Sequence, residues 1–223
     1  MKKITKKTLL LMMIVLVSLL MVGQMAKAGV SDTKHNLSTS GTGTFKLTSG
    51  TDEVCVFCHT PHFSSTTAPL WNRSASQANY SMYTSSTIDM TIANSPQGVS
   101  AACLSCHDGT VAFDSLLNKP GSGTGSPSGW QWNGNNSNIT TSGNAYIGYD
   151  LTNDHPISIT YDTTKDTAFN AASGGKVDTL PLFGTSKNQV ECATCHNVHD
   201  NTNSPFLRVS NAGSALCLKC HIK

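Results

Sequence analysis

Beyond its first 28 residues, this 223-residue chain has few long apolar runs, no cysteine before Cys55 and no basic footprint. The first lack limits the core. A chain rich in Ser, Thr, Gly and Asn struggles to bury enough apolar surface to offset its conformational entropy. Something other than side chains is therefore expected to supply buried surface. The second lack excludes a lipid anchor on an N-terminal cysteine. The third emerges once the leader is subtracted. The chain has 15 Lys+Arg against 13 Asp+Glu, and five of those lysines lie in residues 1–28, which hold no acid. The remainder carries ten basic and 13 acidic groups, a net charge near −3, which argues against a nucleic-acid partner. The glycines of Lys119–Gly143 do not follow a strand and open a helix, so a phosphate-binding loop is excluded too.

What is present begins with residues 1–28. Lys2, Lys3, Lys6 and Lys7 precede an apolar run from Leu9 to Val22, and Ala26-Lys27-Ala28 supplies small residues at a cleavage position. This pattern predicts a secretory signal peptide. The run is short for a membrane span, so no span is expected after cleavage.

Eight cysteines in an exported chain would ordinarily suggest disulfides. Their spacing points elsewhere. They form four C-x-x-C pairs, Cys55/Cys58, Cys103/Cys106, Cys192/Cys195 and Cys217/Cys220, each followed directly by a histidine: His59, His107, His196 and His221. C-x-x-C-H is the attachment signature of c-type haem, with the thiols bound to the porphyrin and the histidine as proximal iron ligand. Zinc ribbons use paired C-x-x-C without needing that histidine, and disulfides place no demand on the next residue. Four covalently attached haem c groups are expected.

Four of the eight histidines remain: His35, His62, His155 and His199. That number matches the sixth ligands four haems require. His62 and His199 stand three residues beyond a proximal histidine, on the same side of a short turn, so neither reaches the far face of its own haem. Each is expected to bind the iron of a different haem, making C-x-x-C-H-x-x-H a clamp between two cofactors. Met82 and Met90 read as packing or surface residues.

The chain also repeats itself. Lys34–Ser38 "KHNLS", "CVFCHTPH", "APLWNR" and "CLSCH" are echoed in order by "DHPIS", "CATCHNVH", "SPFLR" and "CLKCH". This makes His35 and His155 equivalents and suggests two dihaem modules, residues 29–118 and 151–223, each self-sufficient in ligands. Arg73 and Arg208 fall at matching places in this alignment and could pair with haem propionates. Trp71 and Phe206 are expected to pack on haem edges. Residues 119–150 read as a Gly/Ser/Asn-rich surface linker. Short strands are expected at Ala145–Thr152 and Ile157–Tyr161, and helix at Ser100–Leu117 and around the C-terminal motifs. The expected fold is mostly irregular, with short helices, few strands and haems forming the core.

The doubled motifs, with "KHNLS" upstream and "FLRVSN … LCLKCH" downstream, resemble doubled-C-x-x-C-H multihaem cytochromes. More narrowly, the layout is similar to extracellular cytochrome nanowires of the OmcE type from metal-reducing bacteria. That resemblance implies bis-histidine haems, head-to-tail polymerisation, and one distal histidine donated to a neighbouring subunit. His35, on an N-terminal arm, is the candidate donor by position. The expected function is electron transfer, not enzymatic, through four bis-histidine haems in a secreted filament that exports respiratory electrons. Its partners would be other cytochromes and extracellular electron acceptors. A soluble periplasmic tetrahaem shuttle and, more distantly, a multihaem oxyanion reductase are the competing expectations.

Overall fold

The computed structural model describes residues 29–120, 123–141 and 143–223. The signal peptide expected at residues 1–28 lies outside the described residues. Among those residues no helix is long and apolar enough to cross a membrane.

Regular structure is sparse, as the composition demands. Among the described residues, the one helix longer than a turn is α1 (Gly98–His107). It begins after extended Gln97, whose N–H donates to Ser158 Oγ at 2.8 Å. Good helix formers follow, Ala101, Ala102 and Leu104. It stops at Asp108 because Gly109 turns to φ +77° and donates to the Cys106 carbonyl. A β-carbon there would also stand 2.8 Å from the Tyr146 ring and 2.9 Å from the Ile139 carbonyl. The helix is therefore shorter than the Ser100–Leu117 expected, because the chain must turn to let Tyr146 in.

Three small antiparallel ladders make up the sheet content of the described residues. β1 (Leu47–Ser49) pairs with β2 (Gln131–Trp132), β3 (Ile159–Thr160) with β6 (Gln189–Val190), and β4 (Lys176–Val177) with β5 (Leu180–Pro181). The strand expected within Ile157–Tyr161 is present as β3, whereas Ala145–Thr152 holds only a single bridge, Asp150 to Ser81.

Two hydrophobic clusters hold this together. One joins Leu37, Leu47, Phe57, Phe113, Trp132 and Ile139. The other joins Met90, Ile159, Tyr161, Val177, Leu182 and Val190. Met90 is thus a packing residue. The first cluster changes the reading of residues 119–150. Trp130, Trp132, Ile139, Ala145 and Tyr146 pack into it, and β2 pairs with β1. These residues complete the first half's core rather than running free over its surface.

Candidate functional site

Each cysteine motif is wound into one helical turn by the same bond. His59 N–H donates to the Cys55 carbonyl at 2.8 Å, His196 to Cys192 at 3.0 Å and His221 to Cys217 at 2.9 Å. The second motif, Cys103–His107, closes α1, and the third begins with the single-turn α2 (Cys192–Cys195). This turn puts both thiols and the histidine of a motif on adjoining faces. All eight cysteines are free thiols. Among the described residues no three His, Cys, Asp or Glu side chains converge as a metal-holding group.

The thiols of successive motifs adjoin one another in chain order. Burial, then neighbouring Cys106, pushes the Cys58 thiol up to about 12. Cys103 is raised first by its hydrogen bond with Cys192 and then by burial. Cys195 is raised by burial and by Cys192 and Cys217, and Cys220 is pushed up to about 11 by burial and Cys195. The backbone makes the central join explicit, with Cys192 N–H donating to Ser100 Oγ of α1 at 2.9 Å.

The imidazoles are oriented by backbone carbonyls. Nδ1 of His59 bonds the Pro69 carbonyl at 2.9 Å, His107 that of Ala145 at 2.7 Å, His196 that of Pro205 at 3.1 Å, and His155 that of Pro156 at 3.0 Å. A hydrogen on Nδ1 leaves Nε2 unprotonated, the form and atom that bind a metal. Burial lowers the His107, His199 and His221 basicities. In His35, burial first and then His107, His199 and His196 bring the value down to about 4. Its Nδ1 is buried without a partner.

Six of the eight histidines face each other in pairs. Ring centres are 6.1 Å apart for His35–His107, 6.1 Å for His59–His199 and 6.4 Å for His155–His221. Two imidazoles on opposite sides of one metal ion, with metal–nitrogen bonds of about 2 Å, place ring centres about 6 Å apart. The interplanar angles of 55°, 17° and 80° are all compatible, since each ring turns about its metal–nitrogen bond. A cleft of about 630 Å³ also opens on Cys55, His59, Thr60 and Asn118, within the size range of cofactor pockets. The residues present therefore fit haem.

His62 and His196 are the exceptions. Both are exposed, and among the described residues neither ring meets another histidine ring at these separations. The pairing corrects two expectations. The modules are not self-sufficient, because His59 in the first half faces His199 in the second. His35 is not a free arm: its ring lies within its own chain between His107 and Phe206, whose ring is 4.6 Å away.

The repeat is real at the level of backbone bonds but shifted by one residue. Thr60 N–H donates to the Leu70 carbonyl as Asn197 does to Phe206. Asn72 N–H donates to the Cys58 carbonyl as Arg208 does to Cys195. Leu70 and Phe206 share positive φ, +55° and +61°. Arg208 is thus the counterpart of Asn72, not of Arg73, and Trp71 matches Leu207. Arg73 is also committed inward, its donors held by the Ser105, Val111, Ala112 and Phe113 carbonyls and Ser105 Oγ. It is not available to a propionate. Arg208 uses Nε on the Ala193 carbonyl at 2.7 Å. The orienting carbonyls were missed by sequence reasoning. The recurring prolines at 69 and 205 were the available signal; Ala145 offered none.

Residues 186–223 match the family model for the doubled CXXCH motif. The C-x-x-C-H motifs indicate covalently bound haem c. That match covers Cys192, Cys195, His196, His199, Cys217, Cys220 and His221, and it supports covalently bound haem c and haem-based electron transfer. No curated protein matches the chain.

Proposed function

We propose that the protein is a tetrahaem electron-transfer protein whose subunits join head to tail, each supplying His62 to the iron held by His196 of the next. Cys55/Cys58, Cys103/Cys106, Cys192/Cys195 and Cys217/Cys220 hold the haems. His59 with His199, His107 with His35 and His221 with His155 ligate three of them within the chain. When bound, haem supplies a one-electron couple, at lower potential with two histidines than with His/Met ligation.

One observation carries the reading. The two histidines left over, proximal His196 and spare His62, are exposed and neither faces another histidine ring among the described residues, and a contact between chains would complete the set. The repeat supplies the logic: the second clamp's His199 meets the first clamp's His59 within a chain, and the first clamp's His62 meets the second clamp's His196 across a boundary. Such a heterologous contact propagates when its rotation does not close. Apolar surface beside His62 supports it, with Phe63 88% and Leu70 51% exposed. Secretion, the filament's extracellular location and extracellular acceptors follow from the leader's pattern and the resemblance; a periplasmic shuttle would share the haems without the polymer.

The same open position at His196 favours one other reading, an enzyme that admits a small oxyanion to that iron. Electron paramagnetic resonance of the native ferric protein separates the three. Only low-spin signals, with filaments in negatively stained micrographs, are expected. Discrete particles would sink the polymer, and a high-spin component that persists in native assemblies would favour the enzyme.

A further inference from the structure

Haem brings anions of its own, the propionate carboxylates, and a nearby cation is what fixes them in place. The structure turns Arg73 inward, away from that task. Residues 29–120 hold three other cations, Lys34, Lys46 and Lys119. Lys46 Nζ is taken by the Gly41 carbonyl at 2.9 Å. Lys34 is exposed and does not line the cleft at the first attachment site. Lys119 does line it, together with Cys55, His59 and Thr60.

Lys119 comes from far along the chain, and a pair of asparagines brings it there. Asn72 Nδ2 donates to the Val56 carbonyl at 2.7 Å and to the Asn118 carbonyl at 3.0 Å. Asn118 N–H donates back to Asn72 Oδ1 at 2.8 Å, and Asn118 Nδ2 reaches Thr60 Oγ1 at 2.9 Å. Val56 and Thr60, on either side of the first motif's turn, are thus tied to the residue before Lys119. Asn72 and Thr60 are both buried, and hydrogen bonds kept from water hold their register firmly. The Lys119 N–H donates to the Gly123 carbonyl at 2.9 Å, which turns the chain back beside the cleft.

The backbone is therefore fixed while the side chain is uncommitted. Among the described residues Lys119 Nζ has no hydrogen bond and no ion pair. Glu53, exposed, lines the same cleft and is not paired with it. The cleft thus holds one side chain that attracts a carboxylate and one that repels it.

We propose that Lys119 is the propionate anchor of the haem attached at Cys55 and Cys58. The inference rests on haem attachment as read above, and it makes Asn118 and Lys119 part of the first haem site. An ammonium beside a propionate offsets a negative charge that would otherwise favour ferric iron. Lys119 therefore raises the potential of that haem above the value it would have without the cation.

The test is a redox titration of the holoprotein followed optically, with haem content checked by mass. Lys119→Gln should lower the midpoint of one haem and leave the others nearly unmoved. Lys119→Arg, which keeps the charge, should return it. Nuclear magnetic resonance should trace the moved component to the haem ligated by His59 and His199. A full complement of haem with an unchanged curve, a shift at another haem, or a loss that Lys119→Arg does not return overturns the role of Lys119. Wild-type protein without haem overturns the attachment reading instead. If Lys119→Gln does not take up haem, a map of the wild-type holoprotein decides. Nζ within about 4 Å of a propionate oxygen upholds the proposal; Nζ on Glu53 or in solvent refutes it.

Discussion

The two clamps, Cys55–His62 and Cys192–His199, share a pattern and differ in what anchors them and where their second histidine goes. In the first, the residue before the second cysteine is Phe57, 1% exposed and packed among Trp130, Trp132 and the first cluster. In the second it is Thr194, equally buried but polar, accepting the Glu191 N–H at 3.0 Å as a helix-capping contact. One clamp is set by apolar packing and the other by a hydrogen-bonded cap. The apolar anchor faces its own half's core, and the clamp's far end, His62 and Phe63, is left bare. The capped clamp sits against α1 through Cys192 and Ser100, which turns its far end, His199, onto His59. A shared motif thus yields one closed and one open end.

That contrast can be broken from either side. The largest effect is expected from the histidines themselves. His62→Ala should abolish filaments while leaving the spectrum of isolated chains unchanged. His199→Ala should instead add a second high-spin haem, at His59, to the one that isolated chains already carry at His196, read by electron paramagnetic resonance. The reverse pattern would mean the open and closed ends are misassigned.

Next come the anchors. Phe57→Ala removes a buried aromatic and is expected to destabilise the holoprotein by about 3–5 kcal/mol in denaturant unfolding. Thr194→Val keeps the shape and loses the cap, and should cost about 1–2 kcal/mol. If the two costs were equal, the difference in anchoring drawn above would be wrong. The smallest effect on the single chain is expected at Phe63, 88% exposed. Phe63→Ser should move stability by less than about 0.5 kcal/mol, yet raise the concentration at which filaments form, measured by light scattering.

Attachment chemistry was legible in the sequence because it is local: two thiols and an imidazole within five positions define it. The sparse, irregular fold was legible from composition. The histidine pairing was not, since His59–His199 and His35–His107 join residues far apart along the chain, and only tertiary packing decides which spare imidazole reaches which proximal one. The region after Asn118 was misread for a related reason. Its glycines and serines dominate the composition, but Trp130, Trp132 and Tyr146 do the packing. The one-residue slip in the repeat arose because arginine was matched to arginine, whereas backbone hydrogen bonds match Asn72 to Arg208.

The central claim is that the His196 iron is completed by His62 of another chain. An electron cryomicroscopy map of the native assembly, sharp enough to show axial ligands, tests it most directly. The account predicts His196 of one subunit and His62 of the next on the same iron, repeated at every boundary. His62 on that iron from the same chain, or His62 facing solvent in the assembled protein, would contradict it.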